Sequence, residues 1–224
     1  ANSLVRGVVI NRASSIGLDF QGASGGSVVE GSYFGLDYAG AAISSIGAYA
    51  VLVSSSSITV GGALPAARNI ISGSGSVALY LNGVSGAVVR GNYIGTDAAG
   101  ANDRFNGSFA VYSSGALSPI IGGAGAGEGN LISGADFGIG LYLNGSGELV
   151  QGNRIGTDST GTSAIPNSIG VAATGSTGIL LGGTAAGAGN LISGNLNWGV
   201  QVSSAPAMLI QGNRIGTRPD GLTA

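Results

Sequence analysis

Residues 149–161 read LVQGNRIGTDSTG, with near-copies at VVRGNYIGTDAAG (88–100) and LIQGNRIGTRPDG (209–221) and a looser one at VVEGSYFGLDYAG (28–40). The copies stand about 60 residues apart, and a shorter motif halves that step. Two apolar residues, a variable residue and glycine recur as VVEG ending at Gly31, ITVG at Gly61, VVRG at Gly91, PIIG at Gly122, LVQG at Gly152, ILLG at Gly182 and LIQG at Gly212. The steps are 30, 30, 31, 30, 30 and 30 residues, with a shorter one of 24 back to LVRG at Gly7. RNIISG (68–73), GNLISG (129–134) and GNLISG (189–194) fall between the long copies.

Each unit holds three short apolar runs separated by Gly, Asn, Asp, Ser and Thr, as in Leu149-Val150, then Ile155, then Ile169 to Ala173. These are strand and turn signals. No unit carries a 3.6-period stripe long enough for a helix, and interior glycine costs a helix up to about 1 kcal/mol per residue. Three-strand units at constant period stack as coils of a parallel β-solenoid.

Composition narrows the chemistry. Glycine supplies 45 of 224 residues, about 20% against the roughly 7% of ordinary domains. All eight basic residues are arginine, and lysine, histidine and cysteine are absent. That excludes a histidine base, Ser-His and Cys-His nucleophiles, Schiff-base and P-loop lysines, and the usual zinc sets. A net charge of −2 with no basic stretch argues against a nucleic-acid partner. The uncharged stretch 38–67 is broken by Gly40, Gly47 and Ser54 to Ser57, so no membrane span is expected. With 44% hydrophobic residues the chain has material for a core, and disorder is not expected.

The pattern Asn-x-Ile-x-Gly-Asn followed by Gly-Val, as in GNLISGNLNWGVQV (189–202), resembles the right-handed parallel β-helix repeat of pectate-lyase-like, NosD-like and many bacterial surface proteins. The resemblance covers the whole chain. It implies a single-stranded right-handed β-helix, and with the repeat spacing this gives an all-β single domain over residues 1–224 of about seven to eight coils with a 60-residue superperiod. It also implies an extracellular or cell-surface location of bacterial type. Fold alone does not choose among lyases, hydrolases, adhesins and structural proteins. The enzymatic branches ask for clustered acids, or an arginine base beside calcium-binding acids, whereas the ten acidic residues here are scattered, Asp19, Glu30 and Asp37 coming closest to a group. Copper handling lacks its ligands, since the only methionine is Met208.

Aligning the coils on the motif glycine gives columns. Val29, Thr59, Val89, Ile120, Val150, Leu180 and Ile210 are expected inward, as are Phe34, Ile71, Ile94, Ile132, Ile155, Ile192 and Ile215, and Leu18, Leu79, Val111, Leu141, Val171 and Val200. Strand neighbours alternate faces. Glu30, Val60, Arg90, Ile121, Gln151, Leu181 and Gln211 are therefore expected outward, with Tyr33, Ile70, Tyr93, Leu131, Arg154, Leu191 and Arg214. Both outward columns alternate polar and apolar, so the inserts after the GTD turn and the AGAG-type inserts are expected to fold back over the apolar members.

Asn69, Asn130 and Asn190, with Asn92, Asn153 and Asn213, are expected to form an internal amide ladder. Asp37, Asp97 and Asp158 read as Asx turns rather than calcium ligands or a catalytic pair. No metal, cofactor or catalytic residue is assigned. Tyr33, Tyr93, Arg154 and Arg214 form the candidate carbohydrate-binding face. The sequence reads best as a non-catalytic extracellular structural or adhesive rod, with a polysaccharide-binding or polysaccharide-processing β-helix as the alternative. The chain starts at a strand motif and stops after the GTRPDG turn with no polar cap. Either a longer array of neighbouring repeats or end-to-end self-association into a filament is expected from that.

Overall fold

The computed structural model describes residues 2–22 and 24–222. It is an all-β solenoid of three parallel sheets with eight, eight and seven strands. The first sheet runs from Leu4–Arg6 to Leu209–Gln211 and the second, of two-residue strands, from Val9–Ile10 to Arg214–Ile215. The third runs from Ile16–Phe20 to Trp198–Ser203 and contains the longest strand, Ala135–Ser146. Each strand pairs with its equivalents one coil before and after, and a single 3₁₀ turn, Pro65–Ala67, is the only helical element among the described residues.

Three apolar columns fill the interior. Phe34, Ile71, Ile94, Ile132, Ile155 and Ile192 are fully buried behind the second sheet, in the expected register. Leu79, Val111, Leu141 and Val171 are fully buried behind the third, with Val51 completing the column between Leu18 and Leu79.

Behind the first sheet the register differs from the sequence alignment. Val29 pairs with Val60, Val60 with Val89, Val89 with Ile121, Ile121 with Val150 and Val150 with Leu181. All six are fully buried. Val60, Ile121 and Leu181 thus point inward, and Thr59, Ile120 and Leu180 point outward, the reverse of the expectation. The apolar coils carry two consecutive glycines, and it is the second, Gly62, Gly123 or Gly183, that matches Gly91, Gly152 and Gly212. A slip of one residue exchanges the two faces of a strand. The outward column of this sheet is consequently apolar on nearly every coil, with Val28, Val88, Ile120, Leu149 and Leu180 half-buried.

The asparagines form one ladder. Each side-chain amide donates to the carbonyl oxygen of the next, from Asn69 through Asn92, Asn130, Asn153 and Asn190 to Asn213, at 2.8–3.0 Å. Each also donates to a carbonyl of the inner strand, such as Val89 for Asn130 and Ile121 for Asn153. A buried polar group must be paired or it costs stability, and this arrangement pairs every one of them. Two further pairs, Ser74 with Asn106 and Asn167 with Asn195, are interrupted at Ala135, where the Asn106 side-chain nitrogen is buried without a partner.

Candidate binding face

The outward column of the second sheet is Tyr33, Ile70, Tyr93, Leu131, Arg154, Leu191 and Arg214, paired in that order as the sequence predicts. Its apolar members are nonetheless covered, Ile70 and Leu131 being 2% exposed and Leu191 8%. The cover is the insert that follows each polar strand. It doubles back as a short antiparallel ribbon, closed by the bridges Leu36–Ile43, Thr96–Asp103 and Thr157–Ala164. Successive ribbons meet across the intervening coil: Ala98 N–H donates to Gly40 at 2.9 Å and Ser159 N–H to Gly100 at 2.8 Å. Gly100 lies on Tyr93 and Leu131, and Gly161 on Leu191, both with positive φ and so close that a Cβ would stand 2.7 Å from the Tyr93 ring and from Leu191. The apolar residue of every second coil is thus roofed by two ribbons from its polar neighbours.

Asp37, Asp97 and Asp158 hold these ribbons in shape. One carboxylate oxygen of each accepts two backbone N–H groups: Ala41 and Ala42, Ala101 and Asn102, Thr162 and Ser163. At Asp158 burial works to raise the pKa, but the Thr160 hydroxyl and the ribbon N–H groups outweigh it and hold the carboxyl below its ordinary value. At Asp37 the N–H groups of Ala41 and Ala42 do the same. The oxygens are spent on the turn. Asp158→Ala is expected to lose about 1–2 kcal/mol through those charge-assisted bonds, while calcium or EDTA leaves the melting temperature within about a degree. A calcium-dependent rise in thermal denaturation scans that Asp158→Ala abolishes would identify a metal site instead.

The four candidate carbohydrate residues separate into two groups. Tyr33 is half-buried with its ring beside Gly40. Tyr93 and Arg154 line a shared cleft of about 290 Å³ together with Arg68, walled by the glycine-rich insert of residues 123–127. Arg154 and Arg214 then line an adjoining cleft of about 130 Å³. The Arg68 guanidinium lies 3.9 Å from the Tyr93 ring centroid and donates from Nε to Gly91 O. The insert is anchored by Glu128, which accepts from Arg90 at 2.8 Å and from Gly125 N–H at 3.0 Å.

Two features escaped the sequence columns. Tyr49, Tyr80, Phe109, Tyr112 and Tyr142 form a half-exposed aromatic cluster on the outside of the third sheet. Tyr80 and Tyr112 stack at 4.8 Å with planes only 4° apart. Their signal was available, since each of Tyr80, Tyr112 and Tyr142 directly follows a residue of the inward column. The other is Glu148, fully buried at a corner of the core. It occupies a column otherwise filled by Ser3, Ser27, Ile58, Ala87, Pro119, Ile179 and Met208. Ser113 donates to its Oε1, while Oε2 is buried without a partner. Burial pushes its carboxyl up to about 7, against the smaller opposing effects of the Ser113 hydroxyl and the Gly145 N–H.

No family model, curated protein or solved structure matches the chain.

Proposed function

We propose that this chain is a non-catalytic structural or adhesive β-solenoid, a rigid rod displayed outside the cell on a bacterial surface. The reading rests on where the acidic groups go, because hydrolysis of a glycosidic bond needs two carboxylates flanking it. Here seven of the ten are taken up in structural tasks, while burial raises the pKa of the Asp136 carboxyl and the charge of nearby Asp103 adds to the rise. Glu30 pairs with Arg6 and Glu128 with Arg90, Asp37, Asp97 and Asp158 close ribbons, and Asp103 accepts Phe105 N–H at 2.7 Å. Glu148 is sealed in the core. The unbroken asparagine ladder supports the same reading, since it makes the interior uniform from coil to coil.

Incubation with pectin, alginate and glycosaminoglycans, following unsaturated-uronate absorbance and reducing ends, is expected to release no product. Turnover would overturn the non-catalytic reading in favour of a polysaccharide-processing enzyme.

A further inference from the structure

Charge is distributed unevenly over the arginines. Arg6, Arg90 and Arg104 each face a carboxylate, Glu30, Glu128 and Asp97 respectively. Arg68 and Arg154 make no salt bridge to a carboxylate among the described residues, and with Arg214 they line the two adjoining clefts beside the second sheet. Among the described residues no Asp or Glu lines either cleft, although the Glu128 carboxylate, paired with Arg90, packs against Gly123 and Gly125 of the wall. A chain of net charge −2 therefore carries a groove whose formal side-chain charges are all positive.

The wall opposite the arginines is almost bare backbone. Gly123, Gly125, Gly127, Gly152 and Gly187 form it, so a ligand can come close to the main chain, although the N–H groups of Gly123, Gly125 and Gly152 are already donated to Gln151, Glu128 and Ala188. Arg154 and Arg214 occupy the same outward column two coils apart, with Leu191 between them. At about 4.8 Å per coil the two column positions lie roughly 10 Å apart. One disaccharide of an extended β-linked chain covers a comparable length. Guanidinium is suited to planar, bidentate pairing with carboxylate or sulfate.

We propose that this groove binds a linear anionic polysaccharide, with Arg154 and Arg214 engaging the acid groups of successive disaccharides and Arg68 extending the track. The proposal rests on the adhesive reading and names what the rod adheres to. Single-stranded nucleic acid is the weaker match to the same charge. It is held by stacking bases on aromatic platforms, whereas the one ring lining these clefts, Tyr93, already has the Arg68 guanidinium over it.

The test is affinity electrophoresis of the full chain through gels containing alginate or chondroitin sulfate. Dextran serves as the neutral polymer and single-stranded DNA as the competing polyanion, and uronate absorbance is read on the same mixtures. Alginate and chondroitin sulfate are expected to retard the protein, less so as salt rises, and dextran is expected to leave it unretarded. Arg154→Glu should weaken binding at least tenfold. Arg12→Glu, an equal change of charge at an exposed residue outside the groove, should weaken it less than twofold. Equal losses in the two variants, retardation by dextran, or tighter binding of DNA would overturn the assignment. Absence of retardation without product release sinks the groove and leaves the non-catalytic rod standing. Product release sinks the non-catalytic reading, while the Arg154→Glu comparison still judges the groove.

Discussion

Val60→Asp is expected to leave the chain largely unfolded, whereas Thr59→Asp, one residue earlier, should change its stability by less than about 1 kcal/mol. Val60 is fully buried between Val29 and Val89, while Thr59 is half-buried on the outer face. A carboxylate at Val60 forfeits the burial of the valine and places an unpaired charge where no donor is free. Together these cost several kcal/mol, a large part of the ~5–15 kcal/mol that holds a domain folded. Circular dichroism and urea denaturation of the two variants read the result. A severe loss at Thr59→Asp with a tolerated Val60→Asp would restore the glycine-to-glycine alignment and refute the observed register.

Glu148→Gln should flatten the pH dependence of stability. In the native state the Glu148 carboxyl ionises only near pH 7, while in the unfolded chain it ionises near its ordinary value of 4.5. A folded pKa raised above the unfolded one contributes stability that is complete below about pH 4.5 and is lost as pH climbs through 7. The loss amounts to about 3 kcal/mol. The ribbon aspartates act in the opposite sense, since their lowered pKa values favour the native state above their ordinary range and surrender that gain on acidification. The informative quantity is therefore the difference between wild type and variant. Glutamine keeps the shape and can accept from Ser113, so it should match wild type near pH 4 and exceed it by up to about 3 kcal/mol above pH 8. Parallel urea-denaturation profiles across that range would show that Glu148 does not titrate in the core.

The solenoid was legible because its evidence is periodic. Isoleucine columns such as Ile94, Ile132 and Ile155, and asparagines at equivalent strand entries, recur often enough that each coil repeats the message of the last. The cover over Leu131 and Leu191 was legible for a related reason, because an apolar residue at an outward position has to be shielded. What failed was a choice between two adjacent glycines, Gly61 or Gly62, which the motif spelling left open and which exchanges the two faces of the first sheet on the apolar coils. Glu148 was illegible for the opposite reason. It occurs once, and without the third sheet's register nothing in the sequence brings Ser113 to it across 35 residues. The candidate face was half legible: the Tyr93 and Arg154 column was read correctly, but Arg68 and the glycine wall come from a different part of the coil.

The ribbon contacts from Gly40 to Ala98 and from Gly100 to Ser159 skip a coil, so they give the rod a natural unit of growth. Excising a single coil would leave a polar coil against a polar coil, with two ribbons contending for one roof and no apolar residue beneath them. Excising two coils restores the alternation of polar and apolar coils. Lengthening or shortening of this molecule is thus quantised in blocks of about 60 residues, and a duplication of any other size would have to rebuild its own exterior before its interior could be of use.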